Sequence, residues 1–274
     1  MTIYRSIYRY KYNPKVKLKI NVLNVPRFNL RVLDDLLSQL TRDFPETVNT
    51  YVEHLSNRFE EQAIETYSMT PEGKFAVLQK FPTLIEKAIN AHLCCLGYSK
   101  YTSEVLDEKI EVFVSDALKG GLMFRYLMAI ALTSIMSREK AIQYFQKFID
   151  DFTRRNLHER VEDLGSELKS RSKFFNTYHG HECVTKFIEK GRLVRKITKC
   201  MYHEVMKEVN DPDFSYALCC HGDFEETKQI NEHFVLTRKK TLIQNHEMCD
   251  FCIHDTRIIE QITHPSPEFW ENLR

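Results

Sequence analysis

Residues 219–251 gather the side chains best suited to chemistry: Cys219, Cys220, His221 and Asp223, then Arg238 and Thr241, then Cys249, Asp250 and Cys252 just beyond. Cys200 precedes them, at the end of Ile197-Thr198-Lys199-Cys200. A thiol becomes a strong nucleophile when a neighbouring cation, helix terminus or base lowers its pKa. A carboxylate beside it can hold a cation or activate water, and an arginine fork matches a carboxylate. Asp223 follows Gly222 and suits a turn as well as a site. Asp250 stands inside an apolar run, where an unpaired carboxylate is costly, so it needs a partner or a role. Arg238 is the candidate partner, or else the anchor for a substrate carboxylate. Cys200 alternates with Val194, Lys196 and Thr198 along one strand face, which leaves core and pocket both open. Cys94, Cys95 and Cys183 read as small buried residues.

A metal is the rival reading. Cys249 and Cys252 have the two-residue spacing of a zinc pair, with Cys219, Cys220, His221, His246 and His254 to complete a set. The upstream pair Cys219-Cys220 is adjacent rather than spaced, so no conventional four-ligand set forms. The expectation is no zinc and no other cofactor.

In order, a strand ending in Cys200, then Cys220-His221-Gly222-Asp223, Arg238-Lys239-Lys240-Thr241-Leu242 and Cys249-Asp250-Phe251 resembles the L-2-amino-thiazoline-4-carboxylic acid hydrolase family. The resemblance covers the last third of the chain. It implies an enzyme that adds water at the amidine carbon of a cyclic amidine, opening 2-amino-thiazoline-4-carboxylate to N-carbamoyl-cysteine. The resemblance implies that Cys200, Cys220 or Cys249 attacks that carbon or lies against the ring, and that Asp223 or Asp250 binds the protonated amidine or activates water. Arg238 would hold the carboxylate, with Thr241 and His221 as further substrate contacts. The chain departs from the family pattern at Asn245, where a glycine is expected; asparagine is the next best residue for a left-handed turn. The alternative is a non-catalytic module of the same fold that binds a small molecule or zinc.

The rest of the chain must position these groups. Its 274 residues are 43% hydrophobic and 12% aromatic, enough for a buried core. The 39 basic and 38 acidic residues nearly cancel, which removes global attraction to nucleic acid or membrane and leaves a small molecule as the expected partner. Eight cysteines are too sparse for a disulfide scaffold, and the most apolar stretch, 121–136, is short and holds Arg125. A cytoplasmic protein is therefore expected. The sequence leaves its oligomeric state open.

The first 33 residues hold eight Lys or Arg and no acidic residue, and Val16, Leu18, Ile20 and Val22 alternate with polar neighbours as in a basic edge strand. From Asn29 the pattern turns helical. Asn29 is the expected cap of a leucine-faced helix ending before Pro45. Further starts are expected at Thr70-Pro71, Ser103 and Ser137, a break at Pro82, and a stop at Gly120-Gly121. After Phe175, residues 183–188 and 193–200 form a hairpin across 189–192, 202–209 a short helix, and 233–238 and 248–253 two more strands. The prediction is α+β, with a helical bundle or cap over 29–175 packed with a small antiparallel sheet. Residues 1–28 form the basic segment with its edge strand, and 176–274 the α+β region carrying the motifs.

Overall fold

A computed structural model describes residues 6–64, 74–100 and 109–274. Strand β1 (Ile7–Tyr10) and strand β2 (Lys17–Asn21) lead into helices α1 (Asn24–Asp43), α2 (Val48–Gln62) and α3 (Pro82–Leu96). Strand β3 (Lys109–Phe113) then precedes α4 (Val114–Ala131), α5 (Arg138–Asn156) and α6 (Leu164–Tyr178). The remainder runs β4 (His181–Glu189), β5 (Arg192–Cys200), α7 (Met201–Met206), α8 (Pro212–Cys219), α9 (Asp223–Ile230), β6 (Phe234–Thr237), β7 (Cys249–Asp255) and α10 (Pro267–Asn272). The fold is α+β. It divides into two compact units, Lys17–Phe148 and Met1–Val16 with Ile149–Arg274.

In the first unit, Leu30, Leu33, Leu36, Leu37 and Leu40 of α1 are all buried, as their spacing predicts, and the helix stops at Asp43 before Pro45. Two expectations are corrected. Asn29 lies inside α1, not at its cap: its amide donates to the Gly121 carbonyl at 3.4 Å and its oxygen accepts from Arg125 Nε at 3.0 Å. Gly120-Gly121 does not stop a helix. It lies within α4, where a Cβ on Gly120 would sit 2.8 Å from His92 Cε1, so glycine permits a close approach of α3 and α4 that outweighs its helix cost of about 1 kcal/mol. Pro82 opens α3 rather than breaking it, since the first helical turn has no use for its missing N–H. Strands β2 and β3 pair antiparallel, with Leu18 opposite Val112. The alternation read at 16–22 is a strand, whereas Ile110 and Phe113, read as helical, are strand residues. The starts expected at Thr70 and Ser103 lie outside the described residues.

The second unit is built on a five-stranded antiparallel sheet in the order β1-β4-β5-β7-β6. β1 was not foreseen; it pairs with β4, Tyr8 opposite Thr185. Helix α6 covers one face: its Leu164 and Leu168 pack on Phe187, Leu193, Phe234, Leu236 and Ile253, and its Phe175 on Tyr10, Cys183, Ile197 and Cys249. The other face carries Val194 and Cys252 under Trp270 of α10 and Leu273. Because side chains alternate along a strand, neighbours in β7 serve different faces. Residues 212–230, between the expected short helix and the strand at 233–238, form α8 and α9; Asp211 accepts from the Phe214 N–H and caps α8.

Lys190-Gly191 joins β4 to β5, whose pairing runs from Glu189 opposite Arg192, through a stretch shifted by one residue from Phe187 opposite Leu193 to Cys183 opposite Ile197, and back to His181 opposite Cys200. Gly191 has φ +89°, and a Cβ there would meet Ile258 at 2.9 Å. Gly191→Ala is expected to destabilise the protein by about 1–3 kcal/mol, read as a lower urea midpoint at unchanged slope.

Candidate active site

Cys200 is the last residue of β5, immediately before α7. Its Sγ lies 3.5 Å from Nε2 of His181, the first residue of β4 and its cross-strand partner. The imidazole is 8% exposed, enclosed by the rings of Phe175 at 5.2 Å, Tyr202 at 6.0 Å and Phe174 at 6.3 Å. Burial, with the nearby charges of Arg195 and Arg171, lowers its pKa to about 4, so it is neutral near pH 7 and Nε2 is free to accept a hydrogen bond from the thiol. Burial pushes the Cys200 thiol up to about 12, only partly offset by the backbone N–H groups of His203 and Tyr202 and reinforced by Cys249 and Asp223.

Helices α8 and α9, the segment after β6 and the start of β7 bring the next groups in. Cys249 is buried, its Sγ accepting from the Leu242 N–H at 3.2 Å, and burial raises its pKa to about 11. Cys220, buried at the end of α8, is raised well above its usual value by burial and then by Asp223. Asp223 is the first residue of α9 and accepts from Arg238 Nη1 at 2.5 Å. Surrounding protein raises its pKa, with Arg238 opposing. The Arg238 guanidinium is fully enclosed. It also donates to the Cys220 carbonyl at 2.8 Å and to Tyr216 Oη at 3.3 Å, and packs on the rings of Phe251 at 4.8 Å, Phe224 at 5.0 Å and Tyr216 at 5.5 Å. Cys200, Cys220, Cys249, Asp223 and Arg238 thus form one cluster whose members feel one another's charge.

Three expected site residues are placed otherwise. Asp250 does not pair with Arg238. It follows Cys249 in the strand and turns to the opposite face of the sheet, where its carboxylate accepts from the N–H groups of Lys239 at 2.8 Å and Lys240 at 2.7 Å and meets His264 Nε2 at 3.0 Å. His264 stacks on Trp270 and bonds Thr237, which reaches His254. Thr241 is buried, and its hydroxyl closes the turn at 242–244, accepting from the Gln244 N–H at 3.2 Å and donating to Gln244 Oε1 at 2.9 Å. His221 meets Asp150 of α5 at 3.2 Å. The zinc pairing fails on the same alternation: Cys249 packs beneath α6 and Cys252 beneath Trp270, on opposite faces. Asn245 does adopt the left-handed turn, at φ 64°.

His181 was missed. It meets Cys200 only through the β4–β5 pairing, in which two opposing one-residue shifts cancel.

Compared with known protein families, the chain matches a family model described as L-2-amino-thiazoline-4-carboxylic acid hydrolase over residues 115–253, a span that contains every member of the cluster. No curated protein and no solved structure matches.

Two outcomes are expected. Since burial holds the clustered thiols protonated, iodoacetamide should modify Cys200, Cys220 and Cys249 slowly at pH 7, with rates still climbing above pH 9 and no plateau near neutrality. Asp250 concerns stability. Burial raises its pKa, but His264 and the N–H groups of Lys240 and Lys239 outweigh that and hold the carboxyl below its usual range. The folded state then resists protonation more than the unfolded chain, so Asp250 adds stability above the unfolded value of ~3.9 that is lost as pH falls through the lower folded value. Asp250→Asn should cost about 2 kcal/mol at pH 7 and less at pH 3, measured by denaturant titration at both.

Proposed function

Because this chain belongs to the L-2-amino-thiazoline-4-carboxylic acid hydrolase family, we propose that it is a hydrolase that opens a small cyclic amidine, with Cys200 as nucleophile and His181 as its base. The observation that carries the reading is the 3.5 Å contact between Cys200 Sγ and a buried, neutral His181, inside the matched span and beside Asp223. With 2-amino-thiazoline-4-carboxylate, His181 Nε2 takes the thiol proton as Sγ bonds the amidine carbon. The ring carbon–sulfur bond then breaks, and the freed substrate sulfur takes the proton back from His181. Water next adds its oxygen to the same carbon and the bond to Cys200 breaks, restoring the thiol. The sum is one water added, giving N-carbamoyl-cysteine. Asp223 faces the protonated amidine, and Arg238 fixes Asp223 in place.

A second reading has direct water attack assisted by Asp223, and the raised thiol pKa values favour it. Turnover of 2-amino-thiazoline-4-carboxylate separates the two. Cys200→Ala and His181→Asn should each lower kcat/KM by about 100-fold or more with the fold intact by circular dichroism. Near-normal turnover by Cys200→Ala, with loss in Asp223→Asn, would establish the water route. Wild-type protein that binds the compound without turning it over would favour the non-catalytic module.

A further inference from the structure

The Arg238 guanidinium is committed to Asp223, Tyr216 and the Cys220 carbonyl, so the carboxylate of such a substrate needs another anchor. Beneath α6, Nδ1 of His181 and Nε of Arg195 are buried and have no hydrogen-bond partner among the described residues. Arg195 is 5% exposed; its Nη2 donates to both carboxylate oxygens of Glu167 at 3.1 Å, and its guanidinium lies over Phe175, the ring that also packs on His181. Glu167 is shared, since Arg171 Nε approaches it at 3.7 Å while Arg171 Nη2 binds the outer Glu226 at 2.7 Å. Arg171 thus bridges Glu167 and Glu226, and these two carboxylates match the two guanidiniums in charge. A buried donor left unpaired is costly, and an anionic acceptor that meets both donors removes that cost. With Cys200 donating its S–H to Nε2, Nδ1 of His181 carries the other proton.

We infer that His181 Nδ1 and Arg195 Nε, backed by Arg171, form a carboxylate subsite that orients a small cyclic carboxylate across the Cys200–His181 pair. The inference rests on the reading of that pair as the reactive centre, and it makes the acid group a requirement for binding. Arg195 and His181 then act on specificity, one by charge and one by direction.

Binding tests the subsite apart from turnover. The full chain, labelled with ¹⁵N-histidine, is titrated with thiazolidine-4-carboxylate, which has no amidine carbon to hydrolyse, and with thiazolidine-4-carboxamide. The carboxylate is expected to bind at least tenfold tighter and to shift the His181 Nδ1 resonance, assigned by its loss in His181→Asn. Arg195→Lys, which keeps the charge facing Glu167 and removes Nε–H, should erase most of that preference. Equal binding of the two compounds, or carboxylate binding that leaves His181 unmoved, would overturn the subsite whether or not the protein is a hydrolase. A protein without turnover that still shows the preference and the shift would keep the subsite and sink the hydrolase reading.

Discussion

The register of the β4–β5 hairpin is the constraint from which the site follows. Gly191 adopts a conformation that strains other residues and leaves room for Ile258, which sets Glu189 opposite Arg192; a one-residue shift between Glu189 and Phe187 and a second, opposing one between Cys183 and Glu182 then bring His181 opposite Cys200. A slip of one residue would move each side chain to the other face, putting Cys183 and Ile197 outside the core they share with Phe175. Core packing and the placement of a thiol beside an imidazole are thus one requirement. The same pleat rule sorts β7, sending Cys249 toward the cluster and Asp250 and Cys252 away from it.

Arg238 is the second fixed point. A guanidinium enclosed by three aromatic rings would be costly alone, and the Asp223 carboxylate, the Cys220 carbonyl and the Tyr216 hydroxyl meet its donors. That arrangement ties the end of β6 to α8 and α9 and sets Asp223 against the thiols. On the reverse face, Asp250 does similar work for the loop that follows Arg238, gripping the N–H groups of Lys239 and Lys240. The two aspartates that look equivalent in sequence divide the labour: one pairs with Arg238 among the clustered cysteines, the other holds the backbone that presents Arg238.

Much of the fold was legible where pattern and partner are local. The leucine face of α1, the helix after Ser137, the β4–β5 hairpin and the strands around Val235 and Cys252 follow from periodicity and turn chemistry. Long-range packing was not legible. Gly120 reads as a stop until His92 is seen against it, and Asn29 reads as a cap until Arg125 and Gly121 claim its amide. Residues 212–230 are too short and too mixed in character for helical period to emerge. Motif order found the cluster of Cys200, Cys220, Asp223, Arg238 and Cys249, but not which face of the sheet Asp250 takes, nor His181, whose importance exists only through pairing with a strand nineteen residues away in sequence.

The central claim is that Cys200 reacts and His181 serves it. Intact-protein mass spectrometry after rapid mixing with 2-amino-thiazoline-4-carboxylate and acid quench tests this most directly. A transient addition of one substrate mass, mapped to the Cys200 peptide and absent in Cys200→Ala, is the result expected. Full turnover with no adduct at any quench time, together with an active Cys200→Ala protein, would contradict it.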